Sequence, residues 1–328
     1  MIHQTHFKGW AKPGPIPPGL GAPSTASARP GNQQLAETVL GAPLVIEPHE
    51  TLDAISGRFR LFQLRDGHRF STDDVLTAWY GTSWCPTART ALDLGSGIGA
   101  VGMICAWRLP GARFVTVEAQ AESVALAKKS ARYNGLTERY EIRLGDFREA
   151  AERGQPCPRE PSVAEELADT AVRAPGQCVL HPDEKFDLIT GSPPYFPLAA
   201  GLKSEHPQKV ACRFEVRGTI ADYCSAAAKH LAPGGFFACV FQIEPAPQLA
   251  RVQTAAKAAG LTIVRQRPVI FREGEPPLIG LFGMMRAEDL PEWFRGQTWT
   301  EPPLTIRTRE GKIHPEYSAV KLSYGFSP

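Results

Sequence analysis

Thr90-Ala-Leu-Asp-Leu-Gly-Ser-Gly-Ile-Gly-Ala-Val-Gly102 decides how this chain is read. A short apolar run ends on Asp93. Glycines recur at 95, 97 and 99, and the apolar segment from Val101 to Trp107 follows. The pattern predicts a buried parallel strand, a tight glycine turn and the start of a helix. Glycine suits the turn because the backbone there needs unusual angles and a ligand must come close to it. The amides at the helix start then point at whatever lies over the turn. Gly95-x-Gly97-x-x-Ala100 also satisfies the dinucleotide fingerprint, and a plain glycine turn in an α/β domain has the same spelling.

The residues downstream narrow the choice. Ala112-Arg-Phe-Val-Thr-Val-Glu118 reads as the next strand and ends on an acid able to bind a ribose diol. Tyr140-Glu-Ile-Arg-Leu-Gly-Asp146 reads as a third strand ending on a second acid. A fourth, Phe186-Asp-Leu-Ile-Thr-Gly191, runs straight into Ser192-Pro193-Pro194-Tyr195. Nicotinamide enzymes have no use for that last element. Strands alternating with helical segments imply an α/β chain with a mostly parallel sheet.

The 328 residues fit one large domain with appendages, or two domains, and 43% hydrophobic content is enough for a full core. The net charge of +2 says little about nucleic acid. Seven cysteines stand at 85, 105, 157, 178, 212, 224 and 239, with no CxxC pair. That usage suggests reduced thiols in a cytoplasmic protein without a metal site. No apolar run approaches the ~20 residues of a membrane span. No secretory signal is apparent.

Residues 1–34 are rich in Pro, Gly, Ala and Ser, and are read as a disordered extension rather than a targeting peptide. Phe59–Arg65 alternates as a strand, and Asp66-Gly67 marks a turn. Arg69-Phe-Ser-Thr-Asp73 opens a helix, with Ser71 or Thr72 as N-cap. Ala121–Tyr133 is helical and stops at Asn134-Gly135. Residues 151–185 hold four prolines before Pro182 and read as a surface insertion. A second long loop, 196–217, carries Lys203, His206, Lys209, Arg213 and Arg217. A loop after the fourth strand lies over the site in such folds, where these groups suit phosphate, with a solvated loop of mixed charges as the alternative. Ile220–Leu231 is a helix stopped by Ala232-Pro-Gly-Gly235, Phe236–Phe241 is a strand, and Leu249–Ala259 is a helix. Leu261–Phe271 and Pro277–Met285 are two late strands. Glu301–Glu316 looks like a strand, a turn at Glu310-Gly311 and a helix start.

Taken together, these pieces resemble the class I S-adenosylmethionine-dependent methyltransferases, in the branch that methylates planar nitrogens through a Pro-Pro-Tyr motif. From Phe62 to Glu316 the order is similar to the tRNA(Val) adenine-N6 methyltransferase family. Gly67-His-Arg-Phe-Ser71, Asp93–Gly102, Gly191–Phe196, Leu231–Gly235 and the terminal Pro303, Gly311 and Pro315-Glu316 carry the likeness. The resemblance implies a Rossmann-like seven-stranded α/β fold closed by an antiparallel hairpin. It implies a catalytic domain at 50–328, S-adenosylmethionine as cofactor and a tRNA as partner.

The implied site divides into three groups. For the cofactor, Glu118 takes the ribose hydroxyls and Asp146 the adenine amine, with Phe147 beside the ring. Gly95, Gly97 and Gly99 make room for the methionine end, Asp93 orders the loop, and Phe70 and Ser71 pack over it. For catalysis, Ser192 Oγ and the Pro193 carbonyl accept hydrogen bonds from the target amine, Pro194 stiffens the turn, and Tyr195 stacks on the target. Phe196, Lys203, Lys209 and Arg213 complete the substrate side. The family usually has Asn where this chain has Ser192, which leaves the target base open. Methylation of a protein glutamine, methylation of a small molecule, and an inactive binding subunit stand as alternatives.

Overall fold

The protein was studied as a computed structural model that describes residues 44–148, 179–196, 208, 215 and 218–326. It also describes the backbones of His6–Phe7 and Trp10–Ala11, which pair as short antiparallel strands. Most of the 1–34 extension, residues 151–178 of the insertion, and Lys203, His206, Lys209, Arg213 and Arg217 lie outside the described residues.

The quoted stretch forms the centre of the main sheet. Ala91, Leu92 and Leu94 of β3 (Thr90–Leu94) are buried, as a strand covered on both faces requires. It pairs in parallel with β4 (Arg113–Glu118) on one side and β6 (Phe186–Gly191) on the other. β5 (Tyr140–Leu144) extends the first side beyond β4. β7 (Leu231–Gln242) extends the second, followed by β9 (Ile279–Arg286) and β8 (Leu261–Arg272). Among the described strands of this sheet, only β9 runs antiparallel. The order β5-β4-β3-β6-β7-β9-β8 is the doubly wound arrangement, and it reverses direction between β3 and β6.

Helices cover both faces. α1 (Thr72–Trp84), α2 (Ala100–Arg108) and α3 (Ala121–Tyr133) contribute to one hydrophobic core. α4 (Ile220–His230) and α5 (Pro247–Ala258) contribute to the other. A separate hairpin, β1 (Glu50–Ser56) with β2 (Phe59–Leu64), docks on α3. Asn134, fully buried, accepts from Arg60 N at 2.9 Å and donates to Arg60 O at 2.7 Å. Ser130 Oγ accepts from Phe62 N at 2.9 Å. Side chains of α3 and of Asn134, the residue that caps its end, thus satisfy backbone groups that a two-stranded ribbon leaves without a third strand.

The structure departs from the sequence reading in three places. Among the described residues the sheet holds two strands beyond the seven expected, because β10 (Trp299–Thr300) and β11 (Leu304–Arg307) join the outer edge of β8 in parallel. Pro302 and Pro303 have no N–H to give a ladder, so this added edge breaks into two short pieces. The Arg265 guanidinium lies over the rings of Trp84 and Trp299, at 3.1 and 4.3 Å from their centroids, and fastens the edge to α1. The strand expected at Phe236 already begins at Leu231, with an irregular register before Leu188 meets Phe236. Finally, Glu50–Ser56 is a strand that alternation did not reveal. Its acid Glu50 is buried and paired with Lys129.

Candidate active site

A cleft of about 490 Å³ opens beyond the carboxyl ends of β3, β4 and β6, where the strand order reverses. Its size is within the ~300–1,000 Å³ of small-molecule sites. The 65–74 entry segment, the glycine turn and the ends of β4, β5 and β6 line it, together with Tyr223 of α4.

The glycine turn is shaped by its own backbone. Gly95 and Gly97 have φ of +60° and +55°, which side chains of L-residues avoid. A Cβ on Gly95 would stand 2.1 Å from Tyr223 Oη, whereas one on Gly97 would meet nothing within 4 Å. Both glycines line the cleft, but the side-chain direction of Gly97 is open while that of Gly95 is filled by Tyr223. Gly99 differs from the expectation. It does not line the cleft but caps α2 from behind, against Met103.

Two acids brace the turn. Asp93, 1% exposed, accepts from Gly102 N at 3.0 Å and from Thr190 Oγ1 at 2.8 Å, joining α2 and β6 to the loop. Burial pushes its carboxyl up to about 7. Glu118, also buried, accepts from Gly97 N at 2.9 Å and from Gln120 N at 2.7 Å. Ser96 Oγ is buried and has no hydrogen-bond partner among the described residues.

The raised Asp93 carboxyl has a thermodynamic consequence. A folded-state value of about 7 against 3.8 means that the folded protein binds the proton more tightly. The corresponding stability is present at low pH and is lost as pH climbs through that window. Asp93→Asn is expected to flatten this slope. Thermal unfolding from pH 4 to 7 should show the wild type losing stability relative to the variant. Parallel profiles would contradict the assignment.

The entry segment is held by the β1–β2 hairpin. Gln63, fully buried, accepts from Phe70 N at 2.7 Å and donates to Asp53 Oδ2 at 2.9 Å, and Asp53 also pairs with Arg69 at 2.8 Å. Phe70 and Ser71 both line the cleft. Ser71 is the N-cap of α1, and its N–H donates to Asp74 Oδ2 at 2.8 Å in a capping box. Burial pushes Asp74 up to about 6.

The Ser192–Tyr195 turn leaves β6 directly into the cleft. Ser192 Oγ is buried without a partner among the described residues, while Pro193 and Pro194 are buried and have no N–H. Tyr195 donates its hydroxyl to Asp73 Oδ2 at 2.8 Å and sets its ring edge-on to Phe241, 5.4 Å between centroids. Burial and the Asp73 carboxylate keep the Tyr195 phenol protonated. Burial likewise pushes Asp73 up to about 6. Phe196 forms a half-exposed lip, and its carbonyl accepts from Glu215 N at 3.0 Å.

On the other flank, Phe147 lines the cleft edge-on to Tyr223, at 4.7 Å and 67°. Asp146 lines it too, but its carboxylate is engaged by Arg148, whose Nε lies at 2.9 and 3.0 Å from the two oxygens. An adenine amine would meet that pair rather than a free acid. Three residues here escaped the sequence reading. Asp73 stood in the quoted entry segment without a role. Tyr223 and Gln208 had no signal. Gln208, 2% exposed, accepts from His68 N at 2.7 Å and donates to Ser123 Oγ at 3.1 Å, a link across 85 residues that no local pattern encodes.

The residues fit a nucleoside bearing an amino-acid tail. Gly97 offers a cradle that a Cβ would fill, Glu118 a carboxylate at the end of β4, and Phe147 an aromatic wall. No group of three or more metal-ligating side chains occurs among the described residues. Among them, no helix is long and apolar enough to cross a membrane.

Comparison with known proteins agrees with this architecture. The methyltransferase small domain family matches residues 81–155. A tRNA1(Val) (adenine(37)-N6)-methyltransferase from Histophilus somni is 24% identical over 269 residues, 81% of this chain and 94% of that protein. A release factor glutamine methyltransferase from Chlorobaculum tepidum is 30% identical over 108 residues, 33% of this chain and 28% of that protein. Among solved structures, a predicted O-methyltransferase from Agrobacterium tumefaciens superposes with a TM-score of 0.51 at 17% identity, covering 78% of this chain and 98% of that one. With this strand order, this cleft and these likenesses, the chain is a methyltransferase of the Rossmann-like class I fold, for which S-adenosylmethionine is the implied methyl donor.

Proposed function

We propose that the protein is an N-methyltransferase acting on the exocyclic amine of a nucleic-acid base, adenine N6 in a tRNA. The Ser192–Tyr195 turn carries this reading, because a buried hydroxyl with no partner among the described residues and a clamped aromatic ring face the same cleft. An amine on a base is a weak nucleophile, since its lone pair is delocalised into the ring. Ser192 Oγ and the Pro193 carbonyl would accept its N–H groups and draw the nitrogen towards a pyramidal shape. Tyr195 would stack on the base, which must leave its helix or come from a single strand. Arg65 and Arg69 line the cleft mouth and suit a phosphate backbone.

When bound, S-adenosylmethionine supplies a methyl group already activated on a sulfonium. Glu118 would hold its ribose hydroxyls, Phe147 its adenine, and Gly95 and Gly97 its methionine end, with Phe70 and Ser71 above. No general base of unusual pKa is required, since the proton can leave after transfer. In this reading the catalytic unit spans 50–328 and carries 151–185 as an insertion. The Chlorobaculum tepidum relative favours a second reading, transfer to a glutamine amide, which is also planar and weakly nucleophilic.

The test is tritiated methyl transfer to cellular RNA, DNA, protein and small-molecule fractions offered separately. Label in RNA as N6-methyladenosine is the expected result. Label confined to protein would replace the first reading with the second.

A further inference from the structure

We propose that Asp73 is a positioning residue for the transfer step, holding Tyr195 through its hydroxyl at the angle at which the ring receives the flat target group. The inference rests on the reading of Tyr195 as the stacking residue.

The two acids that open α1 divide their work. Asp74 closes the capping box by accepting from Ser71 N, so the helix start is satisfied without its neighbour. The carboxylate of Asp73, one position earlier, is not used that way. It crosses the cleft to Tyr195 Oη at 2.8 Å, joining residues 122 apart in sequence. α1 covers one face of the sheet and Tyr195 follows β6, so this bond spans the two walls of the site. A desolvated carboxylate is costly unless a strong donor meets it, and the phenol is that donor here.

The bond completes a three-point hold. The Tyr195 ring lies edge-on to Phe241 at 82°, and its carbonyl accepts from Gln248 Nε2 at 3.3 Å. Phe241 meets the side of the ring and Gln248 meets the backbone, whereas the hydroxyl contact fixes the far end of the side chain. A stacking group locked before the substrate arrives loses no rotamer freedom on binding.

The full chain and its Asp73→Ala, Asp73→Asn, Tyr195→Phe and Asp73→Ala/Tyr195→Phe variants test this. Calorimetric titration with S-adenosylhomocysteine should give affinities within about threefold of one another, since the link faces the substrate. With ring-labelled tyrosine, the NMR signal assigned to Tyr195 should move in Asp73→Ala and stay near its place in Asp73→Asn, whose amide oxygen still accepts. Methyl transfer to RNA should fall about tenfold in kcat/KM for Asp73→Ala and for Tyr195→Phe, about one hydrogen bond each, and no further in the double variant. Asp73→Asn should recover most of that loss. Multiplicative losses in the double variant would overturn the proposal. So would cofactor affinity falling tenfold in Asp73→Ala, or an unmoved Tyr195 signal. If the wild type leaves RNA unlabelled, the reading of the substrate fails, and the NMR signal alone decides whether Asp73 holds the ring.

Discussion

Gly95→Ala is expected to abolish measurable binding of S-adenosylhomocysteine and to lower the melting temperature as well. Two penalties add at this position. The residue sits at φ +60°, which costs a non-glycine residue roughly 1–2 kcal/mol. The new Cβ would also stand 2.1 Å from Tyr223 Oη, a distance no real contact tolerates. Tyr223 cannot simply retreat. Its ring is wedged between Phe147 and Gly191, where an added Cβ would lie 2.7 Å from Tyr223 Cδ1. The loop must move instead, and with it the turn that faces the cleft. A total of about 2–4 kcal/mol in stability is the expected scale of such strain and overpacking.

Gly97→Ala provides the contrast. It carries a similar φ of +55° but meets nothing within 4 Å. Its stability cost should stop at the backbone term of about 1–2 kcal/mol, while its methyl group occupies the proposed cofactor cradle. Thermal unfolding and calorimetric titration of both variants separate the cases. Equal melting temperatures for the two would show that Tyr223 yields freely. Tyr223→Phe in the Gly95→Ala background should restore part of the stability, since the clash is with the hydroxyl.

Tyr195→Ala is expected to reduce methyl transfer about 100-fold or more, on the scale of losing a stacking platform worth ~1–3 kcal/mol per base together with its alignment. Cofactor affinity should change little. Ser192→Ala should lower turnover about tenfold, the worth of one hydrogen bond to the amine. Its effect on stability has the opposite sign to the usual one. Ser192 Oγ is buried and has no partner among the described residues, so its removal relieves an unsatisfied hydroxyl. The variant should melt at the wild-type temperature or above it while transferring methyl more slowly. A clear loss of stability in Ser192→Ala would mean that the hydroxyl already serves the fold, and the proposed role as acceptor would fall with it.

Much of the fold was legible because its signals are local. The β3–turn–α2 unit is spelled by an apolar run, an acid and spaced glycines, and a buried parallel strand has few other spellings. Glu118, Asp146 and Ser192 could be picked out because each ends a strand, and strand ends in this fold meet in one crevice. β1 and β10 were harder. β1 hides a buried Glu50 that only its Lys129 partner makes tolerable, and β10 has two exposed residues beside a Pro-Pro break. Neither resembles an alternating strand.

The amino-acid sequence by itself therefore determined the succession of the central strands along the chain, the glycine turn and the composition of the Ser192–Tyr195 motif, since each depends on residues close together in the chain. The tertiary structure alone decided which groups those residues meet. Asp73 reaches Tyr195 across 122 positions, Tyr223 supports Gly95 and Gly191 from the opposite face, and Arg148 turns back onto Asp146. Such contacts depend on how layers pack over the sheet, and packing follows from the whole set of buried surfaces rather than from any single stretch.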